Sequence, residues 1–146
     1  MMKRILIIDD DHHILLMIKK MLERAGFEVD LSSNGNEGLD LFKRTPVDLV
    51  ITDIIMPEKE GLETIREMKK LRPDLKIIAM SGGGKVSSDN YLNTATIFGA
   101  SRTLTKPFSQ KQMVAAVREL LGEDSGADSY KGGNLSEDEL EQEQGR

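Results

Sequence analysis

Five short runs rich in β-branched and aliphatic residues recur along the chain, each followed by a stretch with helical spacing, and this alternation leaves few folds open. Ile5-Leu6-Ile7-Ile8 ends at Asp9 and Asp10, and Val47-Asp48-Leu49-Val50-Ile51-Thr52 ends at Asp53. Ile77-Ile78-Ala79-Met80 ends at Ser81, and Leu104-Thr105 precedes Lys106. The pattern predicts strands near 4–9, 27–31, 47–52, 76–81 and 101–104. Between them, a first helix over about 12–24 places Ile14, Leu15, Ile18 and Leu22 on one face and closes at Gly26. A second, over about 36–44, must stop before Pro46. A third, over about 60–71, repeats Leu62, Ile65, Met68 and Leu71, and a fourth, over about 88–99, closes at Gly99. The fifth starts after Ser109, a good N-cap, and buries Met113, Val114, Val117 and Leu121.

Strands alternating with helices argue for a parallel sheet covered on both faces. Five βα units match a doubly wound α/β fold of the flavodoxin-like (βα)5 kind, with strand order 2-1-3-4-5. Ligands of such sheets bind at the carboxyl edge, where strands end. Asp9, Asp10, Asp53, Ser81 and Lys106 each sit just past a strand-like run, so three carboxylates, one hydroxyl and one ammonium converge on one crevice.

Charge divides the chain in two. Residues 123–146 hold 8 of the 25 acidic and 2 of the 20 basic residues, so the net charge is +1 over 1–122 and −6 beyond. Residues 1–122 are expected to form the folded domain. The Gly-, Ser-, Asp- and Glu-rich stretch 123–146 has too few apolar residues to offset its ordering entropy and is expected to be mostly disordered. A near-neutral folded part lacks the basic footprint of a nucleic-acid binder. Asp9 to Asp11 interrupt the first apolar run too early for a signal peptide, and no run reaches the eighteen or so residues of a membrane span. The absence of cysteine removes disulfides and thiolate metal sites and suits a reducing compartment.

Packed carboxylates raise one another's pKa unless a cation relieves them. Mg²⁺ is suited to the task, because it is hard, prefers oxygen and takes one or two protein carboxylates beside water and phosphate. A plainer reading makes Asp9 to Asp11 a helix start, where acids favour the dipole, and Lys106 a solvated charge. Gly82-Gly83-Gly84-Lys85 fails as a phosphate loop: the first glycine of that motif would fall at Ala79, and Val86 replaces the Ser or Thr. His12 and His13 read as rim or surface residues.

Taken in order, Asp9-Asp10, Asp53-Ile54-Ile55-Met56-Pro57 with Gly61, Ser81-Gly82 and Lys106-Pro107-Phe108 resemble the receiver domain of bacterial response regulators over residues 3 to 121. The resemblance implies a cytoplasmic, stand-alone receiver that takes a phosphoryl group on Asp53 from a histidine kinase or histidine phosphotransfer protein and then switches a protein-binding surface, as a monomer or a phosphorylation-dependent dimer. It implies that Asp10 and Asp53 ligate Mg²⁺ directly, that Asp9 acts through water and that Ile55 offers its backbone carbonyl. Lys106 and Ser81 would each take a phosphoryl oxygen. The family usually has an aromatic residue three before the lysine, where this chain has Thr103, so the switch pair is Ser81 and Thr103 without a large ring to move. The 25-residue interval from Ser81 to Lys106 is about three longer than the family's, which implies a longer loop or helix there. Two rivals stand beside this reading. A haloacid dehalogenase-type phosphohydrolase also uses an Asp nucleophile but wants a second acid two residues on, where Ile55 stands. A receiver-like interaction module would keep the fold without phosphorylation.

In receivers that switch off quickly, side chains two positions after the phosphorylated Asp and two after the hydroxyl residue help to orient the hydrolytic water. Here these are Ile55 and Gly83, and neither offers a hydrogen-bonding side chain. Self-dephosphorylation should therefore be slow, and Ile55→Asn should speed it about tenfold, ~1.4 kcal/mol of barrier. A decay assay in which wild type is already fast and the variant no faster would defeat this expectation.

Overall fold

A computed structural model describes residues 2–54, 61–82, 95–96 and 98–122. Its elements run β1 (Arg4–Ile8), α1 (His12–Arg24), β2 (Glu28–Ser32), α2 (Gly35–Arg44), β3 (Leu49–Asp53), α3 (Gly61–Leu71), β4 (Lys76–Gly82), β5 (Arg102–Lys106) and a closing helix, α4 (Gln110–Leu121). The strands form one parallel sheet in the order β2-β1-β3-β4-β5. The helix expected over 88–99 lies largely outside the described residues, as does all of 123–146.

Successive side chains on a strand point to opposite faces, and both faces of this sheet are covered. Leu6, Ile8, Val50, Ile77 and Ala79 pack with Leu39 and Phe42 of α2 and with Ile65 and Met68 of α3. Ile5, Ile7, Leu49, Ile51, Ile78 and Met80 pack with Leu15, Ile18 and Leu22 of α1 and with Met113, Ala116 and Val117 of α4. This double burial is why the central strands read as unbroken apolar runs rather than alternating ones.

Helix ends follow local chemistry. Asp11 caps α1 by accepting from the amides of His13 and Ile14, at 2.9 and 3.3 Å. Asn34 caps α2 through the Glu37 amide. Ser109 and Gln112 form a reciprocal capping box on α4, which Gly122 closes in the left-handed region at φ 74°. The α1 cap falls on Ala25, with Gly26 beyond it at φ 100°.

Several side chains differ from expectation. Leu71 is 55% exposed because α3 ends there. The next residue, Arg72, turns inward, donating to the Val47 carbonyl at 2.5 Å and lying over the Phe42 ring. Val114 and Leu121 only lean against the core, and Ala116 takes the buried position instead. Three strands, β3, β4 and β5, also run slightly past their apolar runs, whereas β1 ends at Ile8, one residue short of the expected 4–9. Asp53 and Lys106 close β3 and β5, and Ser81 lies within β4, because ladder pairing uses the backbone and accepts polar side chains: Asp53 pairs with Met80, Ser81 with Thr105 and Gly82 with Lys106.

The start of α3 rests directly on the end of β3. A Cβ placed on Gly61 would overlap the Asp53 carbonyl oxygen and lie 2.5 Å from the Ile54 Cα. Both are backbone atoms that cannot swing aside, so only glycine fits. Gly61→Ala should cost about 2–3 kcal/mol of unfolding free energy and shift the Asp53 amide resonance. A variant with the wild-type urea midpoint would show that α3 can lift away freely.

Candidate functional site

Strand alternation decides which polar residues share a side of the sheet edge. Asp9 continues the Ile5-Ile7 row, Asp53 the Leu49-Ile51 row and Lys106 the Leu104 row, all on the α1/α4 face. Ser81 continues Ile77-Ala79 on the other face.

The carboxylates of Asp9, Asp10 and Asp53 each present an oxygen, and these atoms lie within 4.8 Å of one another. Asp9 is fully buried and Asp53 is 5% exposed, while Asp10 faces solvent. Lys106 spans the cluster: its Nζ lies 2.8 Å from Asp9 Oδ2 and 3.7 Å from Asp53 Oδ1. Asp9 Oδ1 accepts from the Asp11 amide at 2.8 Å. The Asp9 backbone still donates to the Ser32 carbonyl, so this residue is held at both ends. Beside it, Ile54 donates to the Met80 carbonyl at 3.0 Å, and the Thr52 hydroxyl donates to the Asp53 carbonyl at 3.0 Å. Asp53 therefore projects from a fixed backbone.

The acidic run thus divides its work. Asp11 caps the helix, as a plain helix start would, and Asp9 and Asp10 go to the crevice. Lys106 is not a solvated charge, since its side chain is only 18% exposed and is paired with Asp9. Ser81 is fully buried, and its hydroxyl turns to the Gly82 carbonyl at 3.4 Å. Thr103 is half-buried beside Ala79 on the same face as Ser81. Ile55 lies outside the described residues, as do Met56, Pro57 and the glycines after Gly82. His13 projects into solvent with its side chain 99% exposed, and His12 is also exposed. The anchoring roles of Thr52 and Gly61 are new from the structure. The signal for Gly61 was its fixed place after Pro57, whereas nothing marked Thr52.

Burial pushes the Asp9 carboxyl above the ordinary carboxylate range, against the opposing pull of Lys106 and the Asp11 amide, and the Asp10 charge adds to the rise. The donor set is all hard oxygen. An ion with ligand distances of about 2.0–2.1 Å spans ~4 Å between opposite ligands, so the spacing and chemistry of the three carboxylates fit a Mg²⁺ ion.

Comparison with known proteins bears on the same residues. The family model of the response regulator receiver domain matches residues 5–118. Chemotaxis protein CheY of Thermotoga maritima is 35% identical over 119 residues, which are 81% of this chain and 97% of that protein. Response regulator receiver protein CpdR of Brucella abortus is 32% identical over 120 residues, 82% of this chain and 98% of that one. Among solved structures, a response regulator receiver domain protein from Clostridium thermocellum matches with a TM-score of 0.76 at 35% identity, covering 85% of this chain and 98% of that chain. No helix among the described residues is long and apolar enough to cross a membrane.

A carboxyl with a higher pKa folded than unfolded binds its proton more tightly in the folded state. Its contribution to stability is fully present below the unfolded value of about 3.9 and is lost as pH rises through the folded value. Without divalent cations, the contribution of Asp9 to stability should therefore decline as pH rises above about 4, and Asp9→Asn should remove that decline, so that the variant gains on wild type over this range. Urea midpoints across pH test this, and an unchanged slope in Asp9→Asn would assign the decline to another group.

Proposed function

The chain belongs to the response regulator receiver domain family, and from that premise we propose that it is a stand-alone phosphoacceptor whose signal is a Mg²⁺-dependent phosphoryl group on Asp53. Receivers are signalling acceptors rather than enzymes in the ordinary sense. The observation that carries the assignment is the meeting of Asp9, Asp10 and Asp53 within 4.8 Å, with Lys106 reaching both buried acids. Residues 1–122 are read as the receiver and 123–146 as an acidic appendage. The action of the receiver by itself is supported by two relatives of which it covers 97 and 98%.

The donor is a phosphohistidine of a histidine kinase or phosphotransfer protein in the cytoplasm. An Asp53 carboxylate oxygen attacks phosphorus, the P–N bond breaks, and the imidazole keeps the bonding pair while an O–P bond forms. Positioning and charge neutralisation dominate such a transfer. Asp10 and Asp53 are assigned as direct Mg²⁺ ligands, Asp9 as a ligand through water and Ile55 through its carbonyl; the ion supplies the charge neutralisation that a carboxylate nucleophile needs against a phosphoryl group. Lys106, now shared between Asp9 and Asp53, takes one phosphoryl oxygen. Ser81 takes another by turning from the Gly82 carbonyl. That turn couples Asp53 to the opposite face of the sheet and gives the two-state element that a downstream protein reads.

Thr103 favours one alternative, a receiver-like module that works without phosphorylation, because position 103 offers no ring to follow Ser81. The haloacid dehalogenase reading loses its support to the family membership and to Ile55. Incubation with acetyl phosphate should add one phosphoryl mass in the presence of Mg²⁺ and none without it or in Asp53→Asn. Labelling of Asp53→Asn at the wild-type level, or no labelling of wild type under any condition, would overturn the assignment and leave the phosphorylation-independent module. In a Mg²⁺ titration, Asp10→Ala should weaken binding more than Asp9→Ala, and the reverse order would reject the direct and water-mediated assignments.

A further inference from the structure

The outer face of α1 carries two neighbouring apolar side chains that the fold leaves in solvent, Leu16 at 42% and Met17 at 39% exposure. One turn and two turns along the same face come Lys20 and Arg24, both exposed. Neither forms an ion pair among the described residues, whereas Lys19 is paired with Glu23 at 2.8 Å. The face is thus an apolar patch continued by two uncompensated cations, and it ends at the C-terminus of α1.

The helix that precedes the acidic stretch in sequence lies beside that end. The helix α4 packs against α1, and Arg118 in its last turn donates to the Ala25 carbonyl at 3.2 Å. Beyond Gly122 the sequence carries a net charge of −6, and Leu135 and Leu140 bracket Ser136, Glu137, Asp138 and Glu139. This segment offers two apolar groups around three acids, the complement of Leu16 and Met17 beside Lys20 and Arg24. Its tether is long enough. From Gly122 to Leu135 there are 13 residues, with a reach of up to ~43 Å at 3.3 Å each, against a rise of about 14 Å from Ala25 back to Leu16 along the helix.

We propose that residues 135–140 dock on the outer face of α1, with the two leucines against Leu16 and Met17 and the acids against Lys20 and Arg24. A tether of this length presents its far end at roughly millimolar local concentration, so a weak contact is enough. The contact is electrostatic in part and is screened as the Debye length falls from ~30 Å at 0.01 M salt to ~10 Å at 0.1 M. A partner that uses Leu16 and Met17 must displace the segment first, which makes the acidic stretch a competitor for that surface.

The chain has no cysteine, so Ser136→Cys in the full-length protein provides a single attachment point for a nitroxide label. At about 0.01 M salt, amide signals of Leu16, Met17 and Lys20 should lose at least half their intensity relative to the reduced, diamagnetic control. Their recovery at about 0.5 M salt, and in the Lys20→Glu/Arg24→Glu background with an otherwise unchanged spectrum, is the expected result. Broadening that is absent, spread evenly or centred on α2 and α3 would overturn the proposal. So would equal broadening when labelled protein without ¹⁵N is mixed with unlabelled ¹⁵N protein, since the contact would then lie between copies.

Discussion

Lys106 holds the charge that lets three carboxylates crowd at one sheet edge. Its ammonium is donated from β5, at one side of the sheet, to Asp9 just past β1, with β3 and β4 between them. A buried carboxylate without a cation is costly enough to neutralise itself or to unfold its surroundings. Asp9 stays tolerable because Lys106 and the Asp11 amide each bond one of its oxygens. The order 2-1-3-4-5 places β3, and with it Asp53, between donor and acceptor. Topology and electrostatics are therefore one constraint at this site.

The same pair explains why the crevice is poised rather than settled. Lys106 is 2.8 Å from Asp9 and 3.7 Å from Asp53, so its charge is shared unequally between two acids. An incoming anion on Asp53 would compete for that charge, and a divalent cation would release it from its present duty. Burial has already raised the Asp9 proton affinity against the pull of Lys106, so the crevice carries an electrostatic cost that a bound cation would relieve.

Much of this was legible in the residues. Apolar runs buried on both faces are nearly continuous, so the five strands stood out, and α1 is found at 12–24 as its spacing and Asp11 indicate. The convergence of Asp9, Asp10, Asp53 and Lys106 followed from one rule, that the strands of a parallel sheet end together. What the residues hid was finer. Strand ends fall on backbone pairing, so Asp53 and Lys106 lie inside the ladder, not beyond it. Leu71 satisfied the apolar spacing of α3, but the helix stops at that residue and Arg72 covers the core instead. Nothing in a sequence announces that the Thr52 hydroxyl bonds the Asp53 carbonyl, because that bond is made in the fold, between adjacent residues of no special pattern.

The alternation that puts Asp53 in one row and Ser81 in the other has a wider consequence. A parallel sheet is a partition: its two hydrophobic halves share no side chains, and a change in the packing of α1 and α4 has no direct route to α2 and α3. At the carboxyl edge the wall stops, and there a single small group touching both Asp53 and Ser81 would span it. On the proposed reading, a phosphoryl group on Asp53 would therefore bear on both halves of the core at once. In that sense the sheet insulates two compartments along its length, and its carboxyl edge is where one bound group would join them.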